Sequence, residues 1–161
     1  MLFVNVPQTT AKIASLSLED ANGKLLAETI VDLPETPGIL RLELPETIKS
    51  LDLNQNYRWH FSLICDERSL DRSPQNTRQV EGWIRRVEPK EDFVNQLDAT
   101  EQRVHVILYA EAGFWYDMLA TLHELRLVQP ENAALTDDWT SVLNSVGLEQ
   151  VATQPLLEAV P

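Results

Sequence analysis

The chain has a single cysteine, Cys65, which rules out an intrachain disulfide and a thiolate metal cluster. Basic charge is scarce. Against 25 Asp+Glu stand only 13 Lys+Arg in 161 residues, a formal net charge of −12. A surface this acidic repels phosphate backbones and anionic lipid, so no nucleic-acid partner is expected. No apolar run approaches the roughly 20 residues of a transmembrane helix, and membrane insertion is not expected. A Gly-rich phosphate loop, a serine nucleophile elbow and an HExxH motif are all missing. The three histidines, His60, His105 and His123, share no metal-ligand spacing. The expectation is therefore no catalytic residue, no cofactor and no metal.

Apolar residues make up 43% and charged residues 24%, a globular composition. The length suits one ordinary domain or two small ones. Acidity is uneven. Residues 1–88 hold ten Lys/Arg against thirteen Asp/Glu, net −3, whereas 89–161 hold three against twelve, net −9. Hydrophobic period changes at the same place, near Pro89.

Before that point the period is two. In Tyr57–Asp66, Tyr57, Trp59, Phe61, Leu63 and Cys65 share one face, opposed by Arg58, His60, Ser62 and Asp66, with Ile64 breaching the polar side. This half-buried strand carries the most apolar mass and is placed at the centre of a sheet. Cys65 is expected to be buried as a small hydrophobe, on the opposite face from His60. Leu2, Val4 and Val6 alternate in a strand that starts abruptly, without the basic region or cleavage pattern of a signal peptide. Such a start suits a chain that begins inside a longer protein. Lys12–Glu19 alternates around Ala14, Leu16 and Leu18, turns at Asp20-Ala21-Asn22-Gly23 and returns over Lys24–Val31. Ile39–Leu44 alternates after Pro34–Gly38 and stops at Pro45, with Ile48, Leu51 and Leu53 as anchors of the connection that follows. Glu67–Gln79 reads as an exposed loop and Val80–Val87 as a strand, whose Gly82 leaves room for a ring such as that of Trp59.

After Pro89 the spacing is helical. Phe93, Val94 and Leu97 begin it; Asp98 or Thr100 caps a second helix that ends at Gly113; Phe114–Val128 is the longest amphipathic run. Thr136 is the expected N-cap of a helix over Asp137–Ser145, with Trp139, Val142, Leu143 and Val146 on its apolar face and Gly147 just past its end. Leu148–Leu157 adds one more turn before Pro155. Gly113 and Gly147 lie 34 residues apart, with Pro130 between them, and this resembles the tetratricopeptide register. Tyr109 fits an aromatic position of that repeat, while Met118 and Leu125 stand where it wants alanine. The expected fold class is α+β: an antiparallel immunoglobulin-like β-sandwich over 1–88, followed by a helical hairpin or bundle with tetratricopeptide-like spacing over 89–161, packed on it.

Several stretches together resemble a domain of unknown function found mainly in cyanobacteria and numbered nine hundred and twenty-eight. They are Leu33–Ile39, Tyr57–Asp66, Val80–Arg86, Tyr109–Asp117 and Ser145–Leu148. The resemblance spans nearly the whole chain and implies no assigned activity. It implies a secreted or periplasmic place, because members carry a leader, a Gly/Arg-rich segment and often an upstream cysteine. None of these is read in this chain; if the upstream cysteine of members pairs with the equivalent of Cys65, that partner is not expected here, and the compartment does not follow from the resemblance.

Two clusters offer binding chemistry. Tyr109, Glu111, Trp115, Tyr116 and Asp117 surround Gly113, where a helix–turn–helix corner rich in aromatics and acids can form a ligand pocket with an acid/base pair. The alternative is that the rings pack in the core and the acids are solvated or cap a helix. Arg85 and Arg86 with Arg58 can form a basic spot for a carboxylate or phosphate, unless they pair with acids such as Glu81 or Asp66 across strands. The expected function is a non-enzymatic module that binds a protein partner. The alternative is a carbohydrate- or small-ligand-binding module that stacks on Trp83 or Trp115, and a hydrolase using Glu111 or Asp117 ranks third. Neither the partner nor the oligomeric state follows from the sequence.

Overall fold

The structure is a computed structural model that describes residues 1–44, 51–65 and 77–157. Its fold is mixed α+β, with two sheets and five helices among those residues. Two compact units divide the chain, one holding Phe3–Glu88 with the C-terminal strand, the other Pro89–Pro155 with Met1–Leu2.

The larger sheet is built from β2 (Ile13–Asp20), β3 (Leu25–Asp32), β5 (Asn56–Ile64) and β6 (Thr77–Arg85), in the order β3-β2-β5-β6. All three pairings are antiparallel. β5 lies inside the sheet, as its apolar mass suggests, opposite Leu16 and Leu18 of β2 through Phe61 and Trp59. Ala14, Leu16, Leu18, Tyr57, Trp59, Phe61 and Leu63 are buried, and each large one contributes roughly 1.5–3 kcal/mol. The β2–β3 turn is tied by Asp20, whose Oδ1 accepts from the backbone N–H of Asn22 at 2.8 Å and of Lys24 at 3.0 Å. Those donors hold the Asp20 carboxyl below its ordinary range. Gly23 takes the positive φ of 80° that the turn needs.

The smaller sheet has the order β1-β4-β7, from β1 (Leu2–Val6), β4 (Gly38–Leu42) and β7 (Leu156–Leu157). Here the expectation of a purely antiparallel sheet fails: β7 runs parallel to β4, with Ile39 opposite Leu156 and Leu40 opposite Leu157. A parallel partner arrives by a long crossover, and this one returns after all five helices.

Other local expectations also need correction. Strand β5 ends at Ile64, so the alternation that runs on to Cys65 no longer has a sheet beneath it, and Cys65 is exposed rather than buried. Leu53 is exposed as well, although its backbone bridges to Arg86. β6 begins three residues earlier than Val80, at Thr77. The rest of the expected loop to its N-terminal side, with Asp66, lies outside the described residues, as do Pro45 and Ile48.

The helices are α1 (Glu91–Asp98), α2 (Gln102–Ala112), α3 (Trp115–Val128), α4 (Ala133–Ser145) and α5 (Glu149–Ala152). α2 and α4 close in the same way. Gly113 and Gly147 adopt φ of 77° and 79°. The N–H of the next residue then reaches back five positions, Phe114 to Tyr109 at 2.9 Å and Leu148 to Leu143 at 3.0 Å, which is the Schellman arrangement. Thr136 does not cap α4. Asn132 does, its side chain accepting from Ala134 N at 3.2 Å, because the buried stripe of this helix starts a turn earlier, at Leu135, and continues through Trp139 and Leu143. At α2 neither Asp98 nor Thr100 caps; Glu101 holds the N-cap position without a side-chain bond, and the Thr100 hydroxyl donates back to Gln96 O at 2.8 Å. Among the described residues no helix is long and apolar enough to cross a membrane.

Candidate functional site

Closure of α2 at Gly113 sets α3 off at once, and three rings gather at the corner. Phe93 of α1 lies 5.8 Å from Tyr109 and 5.2 Å from Phe114, centroid to centroid, and Tyr109 meets Phe114 edge-on at 6.2 Å. His105 steadies the start of α2, its Nε2–H directed at the carbonyls of Leu97 (2.8 Å) and Thr100 (3.1 Å). Both α2 and α4 pack against α3. Between them opens a pocket of about 280 Å³, lined by Tyr109, Ala110 and Gly113, by Trp115 and Met118 of α3, and by Val142 and Ser145 of α4.

The seven sequence-selected site residues are only partly brought together. Tyr109 and Trp115 line the pocket. Glu111 and Asp117 are exposed and flank it along the chain; Tyr116 is half-buried and does not line it. Asp117 sits in the first turn of α3, where a carboxylate suits the helix dipole. Arg85 and Arg86 belong to the sheet unit and are exposed. Arg86 donates to Leu51 O at 3.3 Å. Arg58 forms an ion pair with Glu81 across β5 and β6 and stacks its guanidinium 5.7 Å from the Trp83 ring.

Polar chemistry in the pocket is thin. The Ser145 hydroxyl donates to Val142 O at 2.7 Å. The Tyr109 phenol is the one titratable lining group, and burial, reinforced by the charge of Asp117, raises it above its ordinary value of 10.0. A phenol so placed stays protonated at neutral pH, the form that can donate a hydrogen bond. Because the folded-state value exceeds the unfolded one, the linked stability is present below pH about 10 and lost as pH climbs through the folded value. The expected outcome is that alkaline unfolding between pH of about 9 and 12 steepens less in Tyr109→Phe than in the wild type. An identical fall of the unfolding free energy with pH in both proteins, taken from urea melts across that range, would remove Tyr109 as the linked group.

A second constellation is read only in part from the sequence, which offers Glu81 as a cross-strand acid for the arginines but not the company it keeps. On the solvent side of the larger sheet, register sets Ser17 opposite His60 and His60 opposite Glu81. His60 Nε2 lies 3.3 Å from Glu19, and Nδ1 receives the Gln79 amide at 2.7 Å with Glu81 at 3.3 Å. Arg58 and Trp83 continue the row. Trp83 is 57% exposed. Alternation shows that Arg58 and His60 share the polar face, and Glu81 is the cross-strand acid the sequence offers; that Glu19 and Gln79 join His60 there is not readable from spacing. Among the described residues, no group of three His, Cys, Asp or Glu side chains is arranged to hold a metal ion.

A family model described as Domain of Unknown Function (DUF928) matches residues 1–156. No curated protein and no solved structure matches.

Proposed function

The chain belongs to the DUF928 family, whose description assigns no activity, and we propose that it is a non-enzymatic protein-interaction module whose helical unit grips a partner's side chain between α2 and α4. The apolar lining of this pocket carries the reading. At about 280 Å³ the site lies at the lower end of the roughly 300–1,000 Å³ of ligand pockets and has room for one large apolar side chain. Its chemistry points the same way: rings and aliphatic groups form most of the wall, one protonated phenol can donate a bond, and the serine hydroxyl is engaged by its own helix. The equivalent closures at Gly113 and Gly147, 34 residues apart, with α2 and α4 both against α3, support tetratricopeptide-like geometry for the hairpin. For the sheet unit, an immunoglobulin-like arrangement is supported by the chain leaving the larger sheet for β4 and returning to it at β5.

Ser145→Trp tests the proposal, because Ser145 is exposed at the end of α4 and a ring there fills the pocket. A peptide with one tryptophan in a Gly/Ser background is titrated into the labelled full chain and followed by the amide shift of Gly113. Affinity should fall at least tenfold in the variant, with far-UV circular dichroism unchanged. Equal binding to both proteins, or none to the wild type, overturns it. The exposed Trp83 beside Arg58 favours a second reading, a saccharide stacked on the sheet. An oligosaccharide that shifts the Trp83 indole resonance and leaves Gly113 unmoved would favour that one instead.

A further inference from the structure

The same groove has a charge that specifies its partner. Residues 89–161 contain three basic side chains and twelve acidic ones. Of those three, Arg103 is engaged by Asp138 at 3.5 Å, and Arg126 is half-buried with its guanidinium 5.3 Å from the Trp139 ring. The third, Lys90, stands at the N-cap of α1. No cation lines the pocket. Glu111, next along α2 from the lining residue Ala110, and Asp117, next to Met118 on α3, are exposed, and among the described residues neither has an ion-pair partner. Glu149, four residues beyond Ser145, adds a further exposed acid past the α4 side.

Apolar surface leads out from the pocket at both walls. Ile107, one turn before Ala110 on the same face of α2, is 58% exposed, and Val146, next to Ser145, is 51% exposed. An apolar slot with one carboxylate, Asp117, close enough to raise the Tyr109 phenol and a second, Glu111, adjacent along α2 to the lining Ala110 is complementary to an apolar side chain with cations beside it. A second copy of this chain is a poor occupant, since it would bring its own net charge of −12 against the same acids.

We propose that the groove receives a Lys/Arg-bearing segment of a partner protein, its large apolar residue seated between Tyr109 and Trp115 and its flanking cations beside Glu111 and Asp117. This rests on the interaction reading above and adds the partner's charge. Exposed ion pairs are individually weak and salt-screened, so the charge acts as a modest, salt-dependent gain over the apolar anchor.

Three peptides with the same central tryptophan, flanked by lysine, by Gly/Ser or by glutamate, are titrated into the full chain and into Glu111→Gln/Asp117→Asn, again following the Gly113 amide. At low salt the lysine peptide should bind the wild type about tenfold more tightly than the Gly/Ser peptide, and the glutamate peptide more weakly than either. The lysine advantage should shrink to roughly twofold or less in about 0.5 M salt and in the double variant. Equal affinity of the lysine and Gly/Ser peptides overturns the charge assignment and leaves the groove reading standing. A lysine advantage that survives in the double variant overturns it too, because the cations then land elsewhere. Failure of all three peptides to bind removes the groove reading and this inference with it.

Discussion

Replacing Trp139 by alanine is expected to destabilise the helical unit by roughly 3–5 kcal/mol, the range for deleting a large buried aromatic. Trp139 is 1% exposed and lies on the α4 stripe with Leu135 and Leu143. Its loss removes more than apolar area. Arg126 of α3 lies over the ring, burial pulls its pKa below the ordinary arginine value, and its Nη1 is buried without a hydrogen-bond partner among the described residues. The indole face thus stands where the buried Nη1 side of that cation would otherwise meet water. Trp139→Phe keeps a ring under Arg126 and should cost clearly less than alanine. Arg126→Met in the wild-type background removes an incompletely satisfied charge while keeping most of the stem's packing, so its cost should be small. Urea melts followed by far-UV circular dichroism give the three values. A Trp139→Ala loss under about 1 kcal/mol would mean that α3 and α4 are not joined through this pair.

Trp139 shows which parts of the fold were legible in the sequence. Its helical spacing with Leu143 was plain, and so was the glycine closure at Gly147. The start of α4 was not, because Thr136 followed by two acids has the look of a helix beginning, while Leu135 lies in an Ala-Ala-Leu stretch that draws no attention. The buried leucine pulled the helix back a turn, and Asn132 became the cap. Tertiary burial outweighed the local capping signal, a matter of about 1 kcal/mol. β7 was invisible for a different reason. Two residues carry no period, and a parallel pairing with β4 across more than a hundred residues leaves no local trace.

The candidate site divides along the same line. Tyr109 and Trp115 were legible because a helix closed by Gly113 brings its last turn and the next helix's first turn to one corner. That Val142 and Ser145 supply the facing wall depends on how α4 meets α3, which helical spacing within either element does not encode. On the sheet, period two places His60 and Arg58 on the polar side. Glu81 is the cross-strand acid the sequence offers Arg58, whereas the meeting of His60 with Glu19, Gln79 and Glu81 is a consequence of register, and register depends on which residues pair across strands far apart in sequence.

The contact of Trp59 with Gly82 could be anticipated too, and it carries the second large effect: Gly82→Ala is expected to cost the sheet unit roughly 1–3 kcal/mol, the usual range for overpacking. Trp59 is directly opposite Gly82, and a Cβ built on Gly82 would lie 2.7 Å from Trp59 Cζ2 and 2.8 Å from Cε2. These are atoms of a rigid, buried indole, so relief requires moving the whole ring or spreading β5 from β6. The backbone of Gly82 is not among the positive-φ positions, so the cost is one of space alone. This distinguishes it from Gly23, where open space surrounds the site and an added side chain meets only backbone strain. A double-mutant cycle isolates the contact. In a Trp59→Leu background, itself destabilised, the further Gly82→Ala step should cost little or become favourable, because alanine loses less backbone entropy than glycine in a strand interior. The coupling energy should therefore be at least about 1 kcal/mol. Additive losses would show that the Trp59 ring does not lie over Gly82, and with that the register between β5 and β6 would have to shift.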